Sequence, residues 1–370
     1  MLFVIVFHYG YFTAGWIGVQ IFFVLSGFLI TSILLAERQR PVPFFKRFYW
    51  RRSLRIFPFY FAYLLALTAV FLISGHPEAF ASRWAYLYTY TYNYALLRVP
   101  LEQSPAFTHF WSLAVEEQFY LVWPLAVYYL SRRSLSVVVG AALVVSPLVR
   151  LFSVIAGAAL APGHPEPGLF AYATLPAQFD ALATGAGLAL IDHRRLAHPA
   201  RLLGVMSVVV LGLGLMNVLA AAAPGDGATT RAALSALLDS GTSFGYAPFG
   251  TARFQHVWSY SAINLWSAML VINILRAGAL HTWLGHRWLV YTGQISYGLY
   301  VFHYPLMALL KTAIYIRPMS LRGAVVFVVY LPALFVIAGL SFRYFESRFL
   351  AWKDARYSAR PGERAVSVSG

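Results

Sequence analysis

The feature that most constrains this chain is a succession of apolar stretches separated by short basic segments. All but the first are close to the roughly 20 residues that cross a hydrocarbon core. They run at about 1–14, 17–36, 56–75, 112–130, 135–156, 173–191, 203–223, 259–276, 289–311 and 323–345. In lipid every backbone polar group needs an internal partner, so stretches of this kind become helices. The expectation is an all-α polytopic membrane protein, a bundle of about ten transmembrane helices. Composition agrees: 60% of residues are hydrophobic and only 11% charged, well away from soluble usage.

One stretch resists this reading. Residues 84–98 read Trp-Ala-Tyr-Leu-Tyr-Thr-Tyr-Thr-Tyr-Asn-Tyr-Ala-Leu-Leu-Arg. Tyrosine at this density suits a membrane interface, where the ring sits among headgroups and the hydroxyl stays wet. The positive charges decide between an interfacial or re-entrant segment and a full span. With 84–98 outside, the segments 37–55, 131–134, 192–201, 276–287 and the tail from Arg343 share one side and hold 20 of the 28 Lys/Arg. Counting it as a span would place Arg132, Arg133, Arg194 and Arg195 outside. The first topology obeys the positive-inside rule better. Both termini are then cytoplasmic, and 76–111, 157–172, 224–258 and 312–322 face outward. Residues 1–350 form one membrane domain, and 351–370 a short polar cytoplasmic tail.

Several functions are excluded. The net charge of +15 is spread over clusters between spans rather than gathered in one patch, which is a topogenic pattern and not a nucleic-acid footprint. With no cysteine, disulfides, thiolate nucleophiles and cysteine–metal sites are impossible. No metal and no permanently bound cofactor is expected. Met1 to Phe12 is too short for a full span, so the first helix reads as cut short.

Residues 109–125, His-Phe-Trp-Ser-Leu-Ala-Val-Glu-Glu-Gln-Phe-Tyr-Leu-Val-Trp-Pro-Leu, carry the most chemistry. Glu116 and Glu117 stand side by side in an apolar run, in a chain with only 13 acidic residues. A carboxylate in hydrocarbon costs several kcal/mol unless paired, solvated or protonated, so it marks a site or a pathway. Ser112, Glu116, Phe119 and Trp123 share one helical stripe, with Glu117 about 100° away and free to pair with an arginine of another helix. Arg52 and Arg55, three apart, share a helix face and make a fork for phosphate or carboxylate; Pro58 just after them suggests a helix start or kink. Ser26-Gly27 is a small-residue notch, either for close helix packing or for an acyl chain. His8 lies in the first span and has the near-neutral character of a proton acceptor. Asp180 is a further carboxylate in an apolar context, and Ser296, Tyr300 and His303 share a face of a late helix.

Taken together, four segments resemble the acyltransferase-3 family of multi-spanning membrane O-acyltransferases. They are Gly-Val-x-x-Phe-Phe-Val-Leu-Ser-Gly-Phe-Leu-Ile-Thr at 18–31, Arg-Arg-x-x-Arg-Ile-x-Pro-x-Tyr at 51–60, Trp-Ser-Leu-x-Val-Glu-Glu-Gln-Phe-Tyr at 111–120 and Ile-Ser-Tyr-Gly-Leu-Tyr-x-Phe-His at 295–303, in the family's order. The resemblance implies acetyl or another acyl group moved from cytoplasmic acyl-CoA to a hydroxyl of an extracytoplasmic glycan or glycoside, at a bacterial inner membrane. It implies His8 and Glu116 as catalytic, and Arg52 and Arg55, with Arg51 beside them, at the donor's phosphates. Trp111, Ser112, Glu117, Tyr120, Asp180, Ser296, Tyr297 and His303 are the acceptor-binding candidates. Two departures stand out: only seven residues precede His8, where the family carries a basic residue about eleven before it, and Gln178 stands where an arginine often precedes Asp180 by two. The rival class is a proton-coupled transporter or flippase, in which carboxylates and histidine relay protons. Against it, the sequence shows no inverted repeat and no paired broken helices.

Overall fold

A computed structural model describes residues 1–40, 43–75, 81–97, 106–160, 168–192, 195–222, 241–276, 278–314 and 320–357. Every regular element among them is helical: α1 (Leu2–Tyr9), α2 (Ile17–Glu37), α3 (Phe44–Ile73), α4 (Trp84–Tyr88), α5 (Tyr92–Ala95), α6 (Phe110–Tyr129), α7 (Arg132–Leu160), α8 (Leu169–Ala173), α9 (Leu175–Leu190), α10 (Pro199–Ala222), α11 (Gln255–Leu275), α12 (Ala279–Leu284), α13 (Arg287–Gln294), α14 (Ser296–Ile314), α15 (Leu321–Ser341) and α16 (Ser347–Tyr357). Short 3₁₀ turns precede α2 and α11, and a π turn, Phe342–Glu346, joins α15 to α16. Most of the polar tail, and much of the Gly/Ala/Ser-rich loop 224–258, lie outside the described residues.

Among the described residues six helices are long and apolar enough to cross a membrane: Thr13–Glu37, Phe44–Ile73, Arg132–Gly157, Pro199–Ala221, Ala252–Leu275 and Leu321–Lys353. This is fewer than the ten spans expected. The helix α1 has only eight residues and ends at Gly10, whose φ of 95° is a left-handed stop that glycine adopts at no steric cost. The helix α9 has 16 residues, about 24 Å of rise against roughly 30 Å of hydrocarbon. It is largely enclosed by other helices, whereas α6 buries its N-terminal part and leaves Leu121, Val122, Leu125 and Tyr129 exposed. Within the stretch 84–98, the described residues 84–97 form no span; they fold as α4 and α5 against α3 and α6, pinned where Gln118 Nε2 donates to the Tyr90 carbonyl (2.8 Å) and to Asn93 Oδ1 (2.9 Å).

The third span also differs from its reading. Instead of starting near Pro58, α3 begins at Phe44 and runs 30 residues with Pro58 in its interior. Membrane helices tolerate such a proline because neighbours satisfy the freed carbonyl. Arg51, Arg52 and Arg55 consequently sit along a helix flank, within reach of α6.

On α2 both faces are apolar, and small and polar residues mark the inner one. Phe22, Leu25, Leu29 and Ile33 are exposed, while Gln20, Ser26, Gly27 and Thr31 are buried. A Cβ on Gly27 would lie 1.9 Å from the Leu182 carbonyl oxygen, and one on Gly185 the same distance from that of Val24. The notch is therefore filled by α9, which resolves the Ser26-Gly27 alternative as helix packing. Exposed apolar side chains such as Val144, Val208, Leu215 and Val328 form the surface a bilayer covers.

Candidate active site

The polar groups inside the bundle form three clusters. The first is built on α6. Glu116, 2% exposed, accepts hydrogen bonds from Ser26 Oγ of α2 and from Tyr120 OH one turn along its own helix. Arg52 reaches in from α3: its Nη2 lies 3.5 Å from Glu116 Oε1, its Nε 3.5 Å from Glu117 Oε1, and its guanidinium carbon 3.7 Å over the Tyr120 ring. The pairing of Glu117 with an arginine of another helix is thus present, on the same cation that faces Glu116. Both contacts are long, and Arg52 Nε and Glu117 Oε1 are buried without a hydrogen bond. Trp111 is buried between Phe23 and Tyr172, with ring centroids at 6.2 and 4.5 Å. Arg55 is exposed and, among the described residues, makes no hydrogen bond or ion pair; Arg51 is half-buried on the same helix.

The second cluster is made of histidines brought together from three helices. His8 Nδ1 lies 2.7 Å from His303 Nε2, and His303 Nδ1 lies 2.7 Å from the Tyr300 carbonyl oxygen. His109, 3% exposed, packs edge-on against His303 with centroids 5.1 Å apart, and neither of its nitrogens makes a hydrogen bond. Tyr300 OH donates to the His109 carbonyl at 2.6 Å and lies 3.2 Å from Ser112 Oγ. Lys311 Nζ is 3.5 Å from the His8 carbonyl oxygen. The two clusters meet on α6, because His109, Ser112, Glu116 and Tyr120 follow one another at helical spacing. Tyr297 turns away from the histidines and donates to the Ile56 carbonyl at 3.0 Å. Ser296 is half-buried, with no side-chain hydrogen bond among the described residues.

The third cluster lies apart. Asp180 and Arg150 are both fully buried and joined by two parallel bonds, Nη1–Oδ1 at 2.9 Å and Nη2–Oδ2 at 3.0 Å. Arg150 also donates to the carbonyls of Ala177 and Val257, and Ser261 Oγ donates to Asp180 Oδ2 at 2.6 Å. The cation that Gln178 does not supply comes from α7. Gln178 instead bonds Gln20 and the Tyr172 carbonyl. Sequence reading missed Arg150, although a lone arginine inside a predicted span is the same signal that singled out Glu116. It also missed His109 as a partner of His303, since nothing in spacing joins residues so far apart.

Among the described residues no group of three His, Asp or Glu is placed to hold a metal. A helical membrane protein whose interior carries carboxylates, arginines and neighbouring histidines belongs to the class with chemistry inside the bundle. More narrowly, the chain belongs to the acyltransferase-3 family, whose acyltransferase-domain model matches residues 1–343.

Similar curated proteins include peptidoglycan O-acetyltransferase OatA of Listeria monocytogenes, 27% identical over 96% of this chain and 56% of the relative. Putative peptidoglycan O-acetyltransferase YrhL of Bacillus subtilis is 29% identical over 84% of this chain and 47% of the relative. O-acetyltransferase OatA of Staphylococcus aureus is 35% identical over 33% and 21%. The chain spans about half the length of the first two. No solved structure matches it.

Proposed function

We propose that the chain transfers an acetyl group from cytoplasmic acetyl-CoA to a sugar hydroxyl outside a bacterial inner membrane, with a peptidoglycan sugar as the acceptor. The observation that carries this is the meeting of the two clusters on α6, in a chain of this family: a histidine pair at one end, and a carboxylate held by Ser26, Tyr120 and Arg52 at the other. The relatives' names support the acceptor class. The charge asymmetry supports ten spans with both termini inside.

In the reaction His8 takes the proton of the acceptor hydroxyl as its oxygen attacks the thioester carbonyl. The C–S bond breaks, the new C–O bond stays, and the proton passes from the imidazolium to the leaving thiolate, giving ester and free thiol. Arg52 holds the Glu116 and Glu117 carboxyl groups in place. Arg55, exposed and without an ion pair among the described residues, meets the donor's phosphates. A cavity of about 520 Å³ at the turn between α2 and α3, lined in part by Arg38, Arg40, Lys46, Phe45 and Tyr128, has the charge and aromatic surface a nucleotide needs.

The test is calorimetric titration of acetyl-CoA into the detergent-purified chain, its Arg55→Ala variant and its His8→Ala variant. Binding weakened about tenfold or more in Arg55→Ala and kept in His8→Ala is expected, since one charge-assisted contact is worth about 1.5–3 kcal/mol. Wild-type protein that takes up protons with a solute but ignores acetyl-CoA would turn the reading over to a transporter.

A further inference from the structure

A histidine base has two nitrogens, and only one of them is basic in the neutral ring. Which one is decided by the hydrogen bond the other makes. For His8 that bond leads to His303, and from there to the backbone. His303 Nδ1 lies 2.7 Å from the Tyr300 carbonyl oxygen. A carbonyl oxygen can only accept, so this nitrogen carries the hydrogen. The Nε2 of the neutral ring is then a lone pair, and it faces His8 Nδ1 at 2.7 Å. His8 Nδ1 therefore donates, and its own Nε2 is left as the acceptor. We infer that His303 is a positioning residue that locks His8 in the Nδ1–H tautomer and so makes His8 Nε2 the proton-accepting atom.

The surroundings fit an orienter behind a base. His303 is 0% exposed, while His8 keeps accessible surface. Tyr330 OH donates to the His303 carbonyl at 2.7 Å, tying α14 to α15. The His109 ring blocks one flank of His303, and the Tyr304 ring lies 4.6 Å from that of His8. The charged and titratable groups against the pair include Lys311, Tyr300 and Tyr304 from α14, His109 at the N-cap of α6, Tyr330 from α15 and the Met1 amino group, with no carboxylate touching it among the described residues. When His8 Nε2 takes the hydroxyl proton, the imidazolium keeps its Nδ1–H bond to His303 Nε2, and the ring does not rotate.

This rests on the reading of His8 as the base, and two measurements separate the two claims. The first needs no turnover: ¹⁵N-histidine NMR of the full chain in nanodiscs, with the His8 signals identified by their loss in His8→Ala. The expected wild-type state is Nδ1-protonated His8, giving way to a mixture in His303→Ala and restored in His303→Gln, whose amide oxygen accepts in place of Nε2. An Nε2-protonated His8 in the wild type overturns the inference, even if neither His303 variant folds.

The second is release of free thiol from acetyl-CoA with a soluble N-acetylglucosamine oligosaccharide as acceptor. His303→Ala should lower kcat by about 10²- to 10⁴-fold with KM and the thermal transition unchanged, and His303→Gln should recover most of it. Full kcat in His303→Ala while His8→Ala is dead overturns the positioning role alone. Full kcat in His8→Ala overturns the base reading beneath it.

Discussion

Two of the arginine–carboxylate clusters buried in this bundle, those at Asp180 and at Glu116, are built differently. Around Asp180, both terminal nitrogens of Arg150 and both carboxylate oxygens are bonded at 2.6–3.0 Å, with two backbone carbonyls and Ser261 completing the shell. Around Glu116 and Glu117, one guanidinium serves two carboxylates at 3.5 Å, and atoms on both sides are left without a hydrogen bond. A carboxylate bonded at both oxygens has little left to offer a ligand, although Arg150 Nε stays without a hydrogen bond; this pair joins α7, α9 and α11. An unsaturated one keeps donors and acceptors in reserve at a desolvation cost that the fold carries, a pattern typical of sites rather than of scaffolding. A guanidinium and a carboxylate are thus bonded to different extents in the two places, and the difference lies in how many neighbours each was given.

That contrast can be broken or sharpened by substitution. The largest effect on folding is expected from Arg150→Ala, which leaves Asp180 charged and alone. Removing one partner of a buried pair costs about 3–5 kcal/mol, so the thermal transition in detergent should collapse. An Arg150→Met/Asp180→Leu double variant should regain much of it and keep acetyl transfer. A folded but inactive double variant would show that this cluster is not scaffolding.

Glu116→Gln should do the reverse. The fold stays, while kcat falls about 10²- to 10³-fold in thiol-release assays; unchanged turnover would remove Glu116 from the reaction.

Gly27→Ala tests the seam that holds the two clusters at their spacing, since α2 carries Ser26 and α9 carries Asp180. The methyl meets the Leu182 carbonyl at 1.9 Å, so a loss of about 1–3 kcal/mol is expected from chemical denaturation.

The smallest effect belongs to an exposed pair. Asp192→Ala removes the partner of Arg195, whose side chain is 87% exposed, and stability should change by less than about 0.5 kcal/mol.

Much of this was legible in the residues alone. Hydrophobic stretches of about span length, broken by basic clusters, determined an all-helical membrane protein, because lipid accepts little else. The rarity of charge in such a chain picked out Glu116, Glu117 and Asp180, because a charge in hydrocarbon needs a reason. The ordered motifs at 18–31, 51–60, 111–120 and 295–303 pointed to the family.

Partner choice was not legible. Sequence spacing is local, whereas His8 meets His303 across 295 positions and Arg52 meets Glu116 across two helices. Nor was the start of α3, because a proline that ends a helix in water can lie inside one where neighbours take up the freed carbonyl. Nor was the fate of Asp180, whose missing local arginine is supplied from α7. Composition and period settled which segments are helices and which residues are costly to bury. Only the packing of those helices decided which carboxylate is bonded at both oxygens and which is left with bonding capacity to spare.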